Sequence, residues 1–256
     1  MKNILITGGR SGIICDVIKR IKNDYNLYIT VHTDSEVLAI RNIYRDYSNI
    51  KCFKLDIVND NDIFKLDDIN IDILICNGAD IEGGSLLDMP FDKIRDNMEV
   101  NYFGNLKLIR RVISNNKSVK IIVISSLAGK MPLPFLGAYC SSKAALSVAI
   151  RSLRYELKLI SKDLKVVIIE PGLYKTGFNK LGFDRKYEYM DNGSFFDEQI
   201  AFIKKRENIF LTLFERKNLS SISKKIVKAI NEENPRLYYR APFDQSLFIK
   251  FYNFFF

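Results

Sequence analysis

A chain of 256 residues, 47% of them hydrophobic, has the length and apolar content for one α/β domain with a full core and needs no second domain. Lysine and arginine outnumber aspartate and glutamate 39 to 30, a formal net charge of +9, but the two signs are interspersed and no nucleic-acid motif accompanies them. That balance excludes nucleic-acid binding from the reading and asks only for a solvated face and an anionic small-molecule ligand.

Residues 2–6 form a short apolar strand that runs into Thr7-Gly8-Gly9-Arg10-Ser11-Gly12-Ile13, a glycine-rich turn. Ile13, Val17, Ile18 and Ile21 then recur with helical spacing. Strand, glycine turn and helix together put backbone N–H groups and a positive helix end against a pyrophosphate. The alternation continues with a strand over 27–31, a helix over 35–47, a strand over 52–55 ending at Asp56, and a strand over 71–75 ending in Cys76-Asn77-Gly78-Ala79. Helical periodicity over 91–113 contains Asn101, a strand over 119–124 delivers Ser125 and Ser126, and a long helix over 137–160 carries Tyr139 and Lys143. A strand over 164–169 is stopped by Pro171-Gly172. Near-continuous Ile, Leu and Val in the strands, with helices between, predicts a Rossmann-type doubly wound parallel sheet in three α/β/α layers. Polar candidates gather where strands end, the place expected for ligands in such sheets.

Tyr139 and Lys143 stand four apart, so phenol and ammonium project from one helix face. A free phenol ionises near pH 10, and a cation held beside it is expected to draw that value down towards the working range. Ser126 can hold a substrate oxygen at the phenol. The four cysteines, Cys15, Cys52, Cys76 and Cys140, lack C-x-x-C spacing, which predicts reduced thiols and no metal site. The first strand begins almost at Met1, leaving no room for a signal peptide, and a cytoplasmic location is expected.

Over roughly residues 1–240 the chain resembles the short-chain dehydrogenase/reductase family, with a flavour of its retinol and hydroxysteroid dehydrogenase-like members. Thr7, Gly8 and Gly12 meet the family's T-G-x-x-x-G-x-G turn, Cys76-Asn77-Gly78-Ala79 is a degenerate N-N-A-G, and Tyr139 and Lys143 meet Y-x-x-x-K. Ser126 lies at the usual interval before the tyrosine, and Pro171, Gly172 and Thr176 meet P-G-x-x-x-T. The resemblance implies an oxidoreductase interconverting a carbonyl and an alcohol, with Tyr139 as general acid or base and Ser126 bonding the reacting oxygen. It implies that Lys143 contacts the nicotinamide ribose and that Asn101 supports a proton path. It also implies cofactor contacts from Gly8, Arg10, Ser11, Gly12, Ile13, His32, Asp56, Ile57, Asn77 and Gly78, beside Tyr139, Lys143, Pro171, Gly172 and Thr176.

Two departures bear on this, Ile14 and Cys76, and the small cysteine packs easily. Ile14 stands where the family has its third glycine, and a β-branched side chain there must push something aside. A catalytically impaired nucleotide-binding regulator or scaffold is therefore the alternative function. A nucleotide-sugar epimerase is disfavoured by the short chain and by Ser11 in the turn. Val31 occupies the position where NAD-preferring relatives usually carry an acid, and with Arg10 and His32 nearby an acid-free, basic setting favours NADP(H). NAD(H) remains open through Asp34.

Residues 1–246 are expected to form the domain, and the resemblance implies a substrate lid over about 173–216, of which 177–216 lacks strand–helix regularity and is rich in aromatic residues. Those rings either suit a substrate of apolar character or pack the lid onto the body. Pro235 to Arg240 reads as a closing strand. The aromatic tail, 247–256, has three readings: packing on the lid, burial between subunits, or contact with a membrane surface. The family resemblance implies a homodimer or homotetramer through the 91–113 and 137–160 helices.

Overall fold

The computed structural model describes residues 1–190 and 193–255. Seven parallel strands lie in the order β3-β2-β1-β4-β5-β6-β7: β1 (Asn3–Ile6), β2 (Asn26–Val31), β3 (Ile50–Lys54), β4 (Ile73–Cys76), β5 (Val119–Ile124), β6 (Leu164–Pro171) and β7 (Tyr238–Ala241). The alternation of side chains along each strand builds two cores. Ile4 and Ile6 of β1 face helices α1 (Gly12–Ile21), α2 (Asp34–Ile43) and α9 (Ser220–Asn231), whereas Leu5 faces α5 (Asn105–Asn115) and α6 (Gly137–Ile160). Both faces are covered, which is why the strands read as unbroken apolar runs. The order reverses between β1 and β4, and the crevice at their carboxyl ends is the site a doubly wound sheet provides.

The helix expected over 91–113 is interrupted. It runs as α4 (Phe91–Met98), a π-helical stretch Glu99–Gly104, and then α5. Asn101 lies in that stretch, the usual setting of a π-bulge beside a functional site. Residues 177–216 are more regular than expected. They contain α7 (Phe178–Arg185), short 3₁₀ turns and a 15-residue helix α8 (Ile200–Phe214). The apolar residues of α8 point outward as well as inward, with Phe202, Ile209 and Leu213 exposed, and this erased the one-sided periodicity. A short helix α3 (Asp60–Phe64) and the tail helix α10 (Phe243–Phe255) complete the set.

Candidate active site

A cavity of about 1300 Å³ runs along the carboxyl ends of the strands. At one end its wall comprises Gly8, Arg10, Ser11 and Ile13 from the glycine turn, His32 after β2, and Asp56 and Ile57 after β3. Its middle is lined by Asn77, Gly78, Pro171, Gly172 and Thr176, and its far end by Ser126, Tyr139 and Lys143.

The turn is shaped by close approaches. Gly8 has φ +64°, and a Cβ there would lie 2.7 Å from Asn77 Nδ2. Thr7 Oγ1 accepts from the backbone N–H groups of Asn77 and Gly78, both at 2.9 Å, fastening β1 to the β4 turn. Gly12 stays behind the cavity wall, where an added Cβ would meet Thr176 at 3.1 Å. Ile14 is fully buried in the core beneath β1 and β2 and takes no part in the wall. Its side chain packs between α1 and the sheet, while the closest approaches in the turn are made by Gly8 and by Gly9, whose Cβ would strike Ile29.

At the other end Tyr139 and Lys143 are both buried, and Ser126 lines the same end of the cavity with its Oγ accepting from Ala128 N at 3.0 Å. Lys143 Nζ donates to the Ile124 carbonyl at 3.3 Å and lies 5.8 Å from the Tyr139 ring centroid. Burial pushes the Tyr139 phenol up to about 12, against a smaller lowering from Ser126 and a further raising by Cys140. Burial also pushes Lys143 down to about 8. The expected lowering of the phenol by Lys143 does not hold in the protein alone, because desolvation of a buried phenolate outweighs a cation at that separation. An ammonium has three donors and Lys143 spends one on protein, so the residues present fit a hydroxyl-rich ligand such as a nicotinamide ribose in the adjoining cavity.

The Asn101 side chain does not reach the cavity. It is fully buried, its Oδ1 accepts from Asp80 N at 2.8 Å, and its Nδ2 donates to Asp80 O and Ser142 Oγ at 2.8 and 2.9 Å. It thus clamps the β4 turn to the helix that carries Tyr139.

The surroundings of Val31 also differ from expectation. They are not acid-free, because Glu36 lines the cavity. Thr33 and Glu36 form a capping box at the start of α2, in which Glu36 Oε2 accepts from the backbone N–H groups of His32 and Thr33 at 3.2 Å. Glu36 Oε1 lies 3.4 Å from Arg10 Nη1. The pattern Thr33-Asp34-Ser35-Glu36 carried this signal in the sequence. His32 Nε2 sits 3.3 Å from Asp56 Oδ2.

Above Tyr139 the cavity is walled by Ile81, Leu133, Leu136, Phe178, Phe183 and Phe210, with Phe248 and Ile249 of α10 at its mouth. Arg185 of α7 enters this wall and donates to Asp80 Oδ1 at 2.7 Å and to Glu82 Oε2 at 3.2 Å, while Tyr189 OH donates to Glu82 Oε1 at 2.7 Å. Nothing in the local sequence marked Arg185 or Glu82, which meet across about a hundred residues. Among the described residues no group of three or more His, Cys, Asp or Glu side chains can hold a metal, and no helix is long and apolar enough to cross a membrane.

A family model described as short chain dehydrogenase matches residues 2–186. A probable short-chain type dehydrogenase/reductase of Helicobacter pylori, VdlC, is 29% identical over 191 residues, 70% of this chain and 68% of that protein. Several other curated relatives are matched over less than half of their own length. A short-chain dehydrogenase/reductase from Burkholderia phymatum, solved in complex with NAD, superposes with a TM-score of 0.81 over 97% of this chain and 92% of that one at 17% identity. An actinorhodin polyketide ketoreductase variant, solved with NADPH, gives 0.74 over 94% and 95% at 17% identity.

Proposed function

Because the chain belongs to the short-chain dehydrogenase/reductase family, we propose that it interconverts a carbonyl and a secondary alcohol with NADP(H), using Tyr139 as the general acid–base. One observation carries the reading: Ser126, Tyr139 and Lys143 share one end of a cavity whose other end is the glycine turn. When bound there, a nicotinamide cofactor supplies or accepts the hydride.

The backbone of Gly8, Ser11 and Ile13 would hold the pyrophosphate, Asp56, Ile57 and His32 the adenosine, and Lys143 and Thr176 the nicotinamide half. Ser126 presents its hydroxyl to the reacting oxygen. Tyr139 keeps its proton up to about pH 12 in the protein alone, which makes it a donor at neutral pH and suits carbonyl reduction. Lys143, held down to about 8 by burial, would bind the nicotinamide ribose through the donors it does not spend on the Ile124 carbonyl. Asn101 acts from behind, holding the β4 turn and the Tyr139 helix together.

NADP(H) is supported by Arg10, more than half exposed beside the cavity, and by Val31 in place of an acid. NAD(H) is the second reading, favoured by the Glu36 carboxylate at the end of β2. The rings and aliphatic chains above Tyr139 suit a substrate of apolar character. Assembly as a homodimer or homotetramer is supported by Phe103, Val148, Tyr155 and Leu159, exposed on the 91–113 segment and on α6.

Titrating the purified protein with NADPH and NADH, followed by a turnover screen over carbonyls and secondary alcohols, tests the reading. Tighter NADPH binding and turnover of an apolar carbonyl are expected. Failure to bind either nucleotide overturns it.

A further inference from the structure

The outer faces of α8 and α10 are apolar where solvent-facing helices are ordinarily polar. On α8, Phe202, Ile209 and Leu213 are exposed at helical spacing, and on α10 so are Phe243, Leu247, Phe251 and Phe254, the last 81% exposed. The two helices meet at the cavity mouth, where Gln245 Nε2 donates to the Phe214 carbonyl at 2.8 Å and Arg216 pairs with Asp244. Phe214, Phe248 and Ile249 therefore belong both to the mouth and to the helices bearing this face.

Basic side chains accompany the apolar ones. Lys205 and Arg206 follow Phe202, Lys217 follows α8, and Lys250 sits within the α10 stripe. Of the acids on these segments, Glu207 faces the buried Lys186, Glu215 accepts from Asn179 and Asp244 is taken by Arg216. A second copy laid symmetrically on this face would set the lysines against one another, whereas anionic headgroups would match them. Neither helix can span a bilayer, so contact means lying in its interface.

We propose that the α8–α10 face seats on an anionic lipid bilayer, with Phe202, Leu213, Phe251 and Phe254 in the acyl boundary and the lysines among the headgroups. The cavity mouth then opens toward the lipid, and a lipophilic substrate enters from the membrane; this last clause rests on the carbonyl–alcohol reading above.

The test is co-sedimentation of the full chain with vesicles of mixed phosphatidylglycerol and phosphatidylcholine, and with phosphatidylcholine alone. The comparison protein carries Leu213→Glu, Phe251→Glu and Phe254→Glu, exposed positions outside the cavity wall. Binding to the mixed vesicles is expected, weakened roughly tenfold or more by raised salt and by the substitutions, with nucleotide binding and turnover of a water-soluble carbonyl unchanged. Absence of vesicle binding, or equal binding by the substituted protein, overturns the proposal. So does a concentration-dependent dimer that the substitutions dissociate, since the face then belongs to a second copy. Vesicle binding by a protein that turns over no carbonyl supports the seating and overturns only the reaction.

Discussion

Arg185, on the helix that covers the cavity, donates to Asp80 Oδ1 at 2.7 Å, and the backbone of Asp80 is what Asn101 grips on the other side. The covering segment is thus tied to the same turn that is clamped to the Tyr139 helix. Arg185→Gln removes the ionic tie and leaves buried Glu82 with Tyr189 as its donor. A loss of about 1–3 kcal/mol in stability is expected, with KM for the carbonyl raised on the order of tenfold and NADPH affinity kept. Thermal unfolding and steady-state kinetics check it; an unchanged KM contradicts the tie.

The contrast between Tyr139 and Arg185 explains what could be read from the chain alone. Tyr139, Lys143 and Ser126 were legible because a helix and a strand end fix their spacing locally. The parallel sheet was legible because Ile4, Leu5 and Ile6 feed two cores at once. Ile14 was visible as a departure, but its place in the core is set only by the fold. The π-helical stretch at Asn101 leaves no mark on periodicity, and the Arg185–Glu82 contact is made only by the fold. Glu36 was readable in principle through the capping pattern at Thr33.

Glu36 lies between Arg10 and the end of β2, so it opposes a 2′-phosphate there. Glu36→Gln removes the charge while keeping a side-chain oxygen for the cap of α2. NADPH affinity is expected to rise several-fold and NADH affinity to fall, with thermal stability within a degree or two. Isothermal titration with both nucleotides checks this. A loss of NADPH affinity would place the 2′ end elsewhere.

Lys143 is buried with one carbonyl acceptor, and its folded-state value, about 8, lies below its ordinary one. Below pH 8 both folded and unfolded chains carry the charge, and the folded state bears its desolvation. Between pH 8 and roughly 10.4 the unfolded chain alone stays protonated, so this group makes stability rise with pH. Lys143→Met should be more stable than the parent at pH 7 by roughly 1–3 kcal/mol without nucleotide, should lose that advantage by about pH 10, and should lose turnover. Urea unfolding across that range checks the sign.

The most direct test of the account is Tyr139→Phe, which removes the phenol oxygen and keeps the ring that packs on Phe178. NADPH affinity and folding should stay within about twofold of the parent, while kcat for carbonyl reduction falls by about 100-fold or more. Turnover near the parent rate, or an equal loss of nucleotide binding and folding, would mean that Tyr139 is a structural residue and would contradict its assignment as the proton donor.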